Sequence, residues 1–334
     1  MEKLLLEIKK WGVRTARPIN SIYFGGGTPS LLSGNEIQAI MSAIKNNFNL
    51  SSDCEITCEV NPNSAQNFLR YAVLAGVNRI SVGIQSANDK ELKTLGRLHS
   101  FENAEKTFKT ARSLGIENLS ADIMLGLPGA NIADLKASID KIVALSPKHI
   151  SAYILKVEEN TPFFKMKDNL CLPNDDDIAE QYLFLCDTLK NAGFEHYEIS
   201  NFALESYQSR HNNKYWQCDE YIGIGPSAHS FFEGKRFYYS NSLGDFLEGN
   251  EPIFDCNGGD SEEYIMLRLR LSKGLVFKEY IDFFNEDLDE AIINRAKALE
   301  KSGLLKVDAD RIYLTDQGML VSNAVILNLV DTGV

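Results

Sequence analysis

Five short apolar runs separated by amphipathic helices restrict this chain's fold more than any other feature. The runs are Ser21–Phe24, Glu55–Val60, Arg79–Ile84, Leu119–Leu125 and His149–Val157. Each carries β-branched or aromatic residues and ends in polar or turn residues. Behind the first, Ser33-Gly34-Asn35-Glu36 forms a capping box, and Ile37, Ile40, Met41, Ile44 and Phe48 follow at helical spacing. Further helical stripes end at Gly76, at Gly115, before Pro147 and at Gly193. Strands alternating with helices build a parallel sheet of βαβ units. Right-handed crossovers then give a barrel or an open doubly wound sheet. In both, functional groups gather beyond the carboxyl ends of the strands.

The alternation covers residues 1–195. Residues 196–256 are irregular and rich in aromatics, and Cys256-Asn257-Gly258-Gly259-Asp260 marks a boundary. Residues 257–334 carry helical stripes at 261–271, 276–285 and 288–302, a hairpin over Leu304–Leu314 and a last helix near 316–330. Three helices and a hairpin predict a small winged-helix-like domain. Its stretch from Glu279 to Glu290 is acidic, which favours a packing or lid role over nucleic-acid binding.

Charge and cysteine usage narrow the function. The formal net charge is −12 over 334 residues, without a local basic patch, so DNA and RNA are excluded as partners. No apolar run reaches the ~18 residues of a membrane span, and the start lacks an export signal. Leu4, Leu5, Ile8 and Trp11 instead place one helical stripe at the beginning, as though the chain opened in mid-helix. The six cysteines, Cys54, Cys58, Cys171, Cys186, Cys218 and Cys256, are scattered and read as reduced cytoplasmic thiols. Cys54 and Cys58 form a CxxxC, but no third cysteine follows at ligand spacing, and in a strand the two share one face.

Several residues stand where chemistry is expected. Gly25-Gly26-Gly27-Thr28-Pro29 follows the first run, and three glycines let a ligand approach the backbone closely. The segment is neither a GxGxxG fingerprint nor a P-loop, which disfavours a nucleotide dehydrogenase or an ATPase. Glu59 ends the second run and Gln85 follows the third. Asp122 lies inside the apolar fourth run and requires a partner. Arg97 is a candidate, either as a buried Arg–Asp pair or within a shared polar site at the strand ends, and placement favours the latter. His211-Asn212-Asn213-Lys214-Tyr215-Trp216 joins an imidazole, amides and two aromatics. It reads as a surface histidine beside an aromatic cluster or as an axial ligand for haem iron. His229, in a second Gly-rich loop, reads as structural.

Taken together these segments resemble the coproporphyrinogen-oxidase-like branch of the radical S-adenosylmethionine (SAM) enzymes. Gly25–Pro29, Glu59-Val60-Asn61-Pro62, Ser81–Ser86, Gly96–Ser100 and Asp122–Gly129 carry the likeness, in order and spacing. The resemblance implies an α/β fold, a partial (β/α)6 TIM-like barrel, here missing its first strand. It implies that Gly25, Gly26, Gly27 and Thr28 meet the methionine moiety of SAM, that Glu59 holds the ribose, and that Gln85, Arg97 and Asp122 complete the pocket. His211-Asn212-x-x-Tyr215-Trp216 is similar to the HNxxYW signature of the HemW group, associated with haem binding and delivery, which makes His211 the haem residue. The expected partners are haem, a haem-acceptor protein and, where radical chemistry runs, an electron donor. Two other readings stay open: an oxygen-independent coproporphyrinogen III oxidase and a non-catalytic SAM-binding remnant. The family holds a [4Fe–4S] cluster on CxxxCxxC, which this sequence lacks. The expectation is a shortened chain or a natural cluster-free relative, inactive as a radical generator and prone to lower stability or to oligomerisation through an exposed barrel edge.

Overall fold

In the computed structural model, residues 1–159 and 161–330 are described. The last four residues of the expected C-terminal domain, 331–334, therefore lie outside the described residues.

The alternation read from the sequence builds the frame. It runs α1 (Glu2–Arg14), β1 (Ile19–Phe24), α2 (Gly34–Asn47), β2 (Leu50–Val60), α3 (Ala65–Ala75), β3 (Arg79–Gln85), α4 (Asp89–Thr94), α5 (Phe101–Ser113), β4 (Asn118–Leu125), α6 (Ile132–Ala144) and β5 (His149–Ile154). The five strands are parallel neighbours in chain order. The Ser33–Glu36 capping box is formed, and α3 ends on left-handed Gly76.

The sheet is longer than five strands. After α7 (Pro162–Lys165) and α8 (Asp175–Asn191), β6 (Glu195–Glu198) and β7 (Asn201–Ala203) join it in the order β1-β2-β3-β4-β5-β7-β6. Both late pairings are antiparallel. Residues 196–203 thus belong to the barrel sheet rather than to the connecting segment. Their short, polar strands carry no period-2 apolar signal. They act as a hairpin closing the far end of the sheet.

Each strand has two unlike faces. Ile56, Cys58, Ile80, Val82, Leu119, Ala121, Ile150 and Ala152 point to the helices and form the core with α2, α3, α5, α6 and α8. The alternate residues, among them Ser21, Tyr23, Glu55, Thr57, Glu59, Arg79, Ser81, Ser120, Asp122, His149 and Ser151, line the opposite, concave face. That face is almost wholly polar, so it must be hydrogen-bonded internally or filled.

The connecting segment comprises α9 (Arg210–Trp216), β8 (His229–Phe232), β9 (Lys235–Tyr238), α10 (Leu243–Glu248) and β10 (Ile253–Asn257), and its strands form a small antiparallel sheet. Of these elements, α9 lies against that face. α1 docks on that sheet through Trp11, which stacks on Phe237 at 5.4 Å and donates from its indole to Tyr239 Oη at 3.0 Å. β1 is the edge of the large sheet, and α9 packs against it.

The C-terminal domain has the predicted architecture. It contains α11 (Ser261–Arg268), β11 (Leu275–Val276), α12 (Phe277–Phe284), α13 (Glu290–Glu300), β12 (Leu305–Val307), β13 (Arg311–Leu314), α14 (Asp316–Leu320) and α15 (Ser322–Val330). The hairpin gains a third strand, in the order β11-β13-β12, and the last predicted helix is broken in two at Val321. No helix among the described residues is long and apolar enough to cross a membrane.

Candidate functional site

The site is built at the carboxyl ends of β1 to β4 and continues down the concave face. At its mouth, Gly25, Gly26 and Gly27 are exposed. A Cβ on Gly25 would stand 2.7 Å from the Tyr23 ring and 2.9 Å from Glu59 Oε1, so only glycine fits there. Gly26 adopts φ +97°, and beyond it and Gly27 there is open space where a side chain would be. A ligand can therefore lie directly on that backbone.

Glu59 faces these glycines. Tyr23 donates its hydroxyl to Glu59 Oε1 at 2.8 Å, and the Gly26 amide donates to the same carboxylate. Burial raises the Glu59 pKa, and both donors offset the rise. Burial and the Glu59 charge hold the Tyr23 phenol firmly protonated, so it serves as a fixed donor. Next along the mouth, Gln85 takes φ +69°, a strained conformation for a non-glycine, after a register shift between Gly83 and Gln85.

Asp122 is satisfied differently from the expectation. Ser81 donates to its Oδ1 at 2.8 Å, and Ser151 supplies a second hydrogen bond. Burial lifts its pKa to about 6, opposed by Ser81, the Arg79 charge and Ser151. Arg97 is not its partner. Gly96 at φ +69° terminates α4, with the Arg97 amide bonded to the Leu92 carbonyl at 2.9 Å, and this turn leaves Arg97 exposed on the rim. The buried Arg–Asp pair is corrected on that ground, whereas Glu59, Gln85 and Asp122 do converge along successive strand ends.

His211 sits deeper, on α9 against β1. The Ser209 hydroxyl caps α9 by accepting from the Asn212 amide at 3.2 Å. Arg210 donates to the Asp53 carbonyl at 2.9 Å and its carboxylate at 2.8 Å, and the His211 amide donates to Glu55 Oε1 at 3.2 Å. The imidazole stacks on Tyr23 at 5.0 Å. Its Nδ1 lies 3.1 Å from Ser21 Oγ, and its Nε2 lies 2.8 Å from Tyr215 Oη. Burial, then the charges of Lys214 and Arg79, lower its pKa to about 4, so it is neutral at pH 7. A neutral imidazole is the form that ligates a metal. The exposed histidine considered from composition is not what the fold makes.

A buried chain of hydrogen bonds supports α9 from the far side. Ser120 Oγ meets His149 Nδ1 at 2.8 Å, His149 Nε2 meets Tyr197 Oη at 2.8 Å, and the Ser209 amide donates to Tyr197 Oη at 3.2 Å. Tyr23, Ser81, Ser151, Tyr197 and Arg79 were not singled out in the sequence. Their signal in the sequence is the polar residues that alternate with apolar ones inside the strands.

The cysteines do not fit a [4Fe–4S] cluster. Cys54 and Cys58 are buried on the helix side of β2, and burial raises their pKa values to about 11 and about 12. Cys171 and Cys256 are exposed, and Cys186 and Cys218 are buried. Among the described residues, no three thiols converge on one point.

Comparison with known proteins decides the family. The profile of the radical SAM superfamily matches residues 1–142, and that of the HemN C-terminal domain matches residues 261–321. The heme chaperone HemW of Bacillus subtilis is 34% identical over 326 residues, covering 93% of this chain and 86% of the relative. That of Escherichia coli strain K12 is 36% identical over 330 residues, covering 93% and 84%. This chain belongs to the HemW family. Escherichia coli coproporphyrinogen III oxidase (HemN), a radical SAM enzyme, superposes with a TM-score of 0.84 over 100% of this chain and 82% of its own. At 19% identity the match establishes a shared fold. In HemW-family terms, the glycine loop, Glu59, Gln85 and Asp122 all lie within the part matched by the radical SAM profile, and His211 lies outside it.

The elevated Asp122 pKa predicts a pH signature. A carboxyl whose folded pKa is raised contributes its full stability below the unfolded value near 4 and loses it as pH rises through about 6. The loss amounts to at most about 3 kcal/mol for a two-unit shift. Asp122→Asn does not titrate, so its stability relative to the parent should climb between pH 4.5 and pH 7.5 in urea denaturation. A difference constant with pH would show that Asp122 is not held this way.

Proposed function

We propose that this chain binds haem through His211 and passes it to an acceptor protein. The observation that carries the reading is the half-buried, neutral imidazole of His211, held on a capped helix with the Tyr215 hydroxyl on its Nε2. The names of the HemW relatives support it. Nε2 is the nitrogen assigned to iron. Its one partner, the Tyr215 hydroxyl, sits four residues away on the same helix and is displaced by a side-chain rotation. Ser21 Oγ then accepts the Nδ1 proton and fixes the tautomer.

The mouth is assigned to SAM. Gly25, Gly26, Gly27 and Thr28 receive the methionine moiety, Glu59 accepts the ribose hydroxyls, and Gln85, Arg97 and Asp122 complete the pocket. The open space over Gly26 and Gly27 and the oriented Glu59 carboxylate support this placement. The chemistry SAM supplies in this superfamily is reductive cleavage, which needs a cluster and an electron donor. The cysteines of this chain do not make that cluster site, so no radical step is assigned to its residues. The porphyrinogen oxidase reading rests on the fold alone. Six free thiols suit a reducing cytoplasm, and the haem-acceptor protein is the partner this reading requires.

Two titrations test these assignments. Haem added to the chain should give a Soret shift that His211→Ala abolishes and Tyr215→Phe preserves or strengthens, because phenylalanine frees Nε2. A shift unchanged in His211→Ala would sink the ligand assignment. For SAM, equilibrium dialysis should show binding weakened at least about tenfold by Glu59→Gln, the loss of a charge-assisted hydrogen-bond acceptor. Equal binding by both proteins would remove Glu59 from the pocket.

A further inference from the structure

Far from the mouth, Cys186, His196 and Asp316 converge from three elements. Cys186 lies on α8, His196 on β6, and Asp316 opens α14 of the C-terminal domain. One potential ligand atom from each lies within 4.8 Å of the other two. His196 Nδ1 is 2.9 Å from Asp316 Oδ1 and 4.0 Å from Cys186 Sγ. Ligands on a tetrahedral zinc, at bond lengths of about 2.0–2.3 Å, stand roughly 3.3–3.5 Å apart. The three atoms reach that geometry with shifts of less than about 1 Å.

The hydrogen bonds of the ring point the same way. The imidazole is fixed by stacking on Phe202 at 4.3 Å. Tyr182, one turn before Cys186 on α8, donates its hydroxyl to the Ile199 carbonyl at 3.1 Å, which leaves its oxygen as an acceptor facing His196 Nε2 at 3.5 Å. Nδ1 faces the Asp316 carboxylate and the Cys186 sulfur, the other two donor groups of the cluster. The thiol at the third corner is buried, whereas the Asp316 side chain is 46% exposed, leaving an approach and a fourth position for water.

We propose that Cys186, His196 and Asp316 form a divalent transition-metal site of the zinc class that clips the C-terminal domain to the barrel. Soft sulfur with imidazole and carboxylate suits zinc rather than magnesium or calcium. Binding forms metal–sulfur, metal–nitrogen and metal–oxygen bonds. It releases to solvent the thiol proton and any proton on Nδ1, with no change of oxidation state. Burial holds the Cys186 thiol protonated without metal, so affinity should rise with pH. The inference is independent of the haem and SAM assignments.

Cobalt(II) added to the metal-stripped full chain is the test. One equivalent should produce a near-ultraviolet thiolate-to-cobalt band with tetrahedral ligand-field absorption, and zinc(II) should displace it. The band should vanish in Cys186→Ser and persist in Cys171→Ser and Cys256→Ser. Asp316→Asn, a half-exposed substitution that leaves the buried residues in place, should weaken binding at least about tenfold, as outer ligand contacts already do. No band at one equivalent, a band that survives Cys186→Ser, or affinity unchanged in Asp316→Asn would each overturn the proposal and leave a His196–Asp316 hydrogen bond.

Discussion

The polar concave face of the large sheet is the constraint on which the rest of the structure depends. A parallel sheet is ordinarily covered on both faces by apolar side chains. Here one face is, and the other presents serines, carboxylates, Arg79 and His149. Each such group is costly to bury unless it finds a partner. The chain meets part of that demand with α9 and the β6–β7 hairpin, while Arg79 keeps one 3.5 Å bond to Thr57 and an unpartnered Nε. The bonds run from Ser120 through His149 and Tyr197 to the cap of α9, and from His211 back to Ser21 on β1. The belt ties the middle strands of the sheet to its first strand through the segment that carries His211. The site is therefore a consequence of satisfying the concave face rather than an addition to it.

Tyr23 joins the two halves of that site. Its hydroxyl holds Glu59 at the mouth while its ring stacks on His211 below. A ligand that drew on Glu59 would alter the hydrogen bond that positions the ring under the imidazole. The neutrality of His211 and the raised pKa of Asp122 share one origin, burial near Arg79, although the arginine charge acts in opposite senses on them. It disfavours the imidazolium and favours the carboxylate.

Much of this was legible in the sequence, for physical reasons. The apolar halves of β1 to β5 and the capped helices between them announce a βα architecture because burial imposes strict periods. The glycine loop stood out because three glycines exceed the needs of a turn, whereas Glu59 was marked only by the family resemblance. The β6–β7 hairpin was not, since Glu195-His196-Tyr197-Glu198 is stabilised by side-chain hydrogen bonds and by pairing with distant strands. The Arg97–Asp122 pair failed for a local reason. A helix-terminating glycine turned Arg97 outward, and two serines on neighbouring strands, remote in sequence, took its place. His211 was recognisable by its motif, but its placement depends on a contact with Ser21, 190 residues away.

The central claim is that α9 is drawn onto the concave face so that His211 is half-buried and neutral, ready to ligate. Nitrogen-15 NMR of the five histidine side chains across pH tests it most directly, with His211→Gln giving the assignment. The account predicts that the His211 ring remains neutral at pH 6 and takes a second proton only near pH 4. A His211 that titrates near pH 6.5, as a solvent-exposed imidazole does, would contradict it.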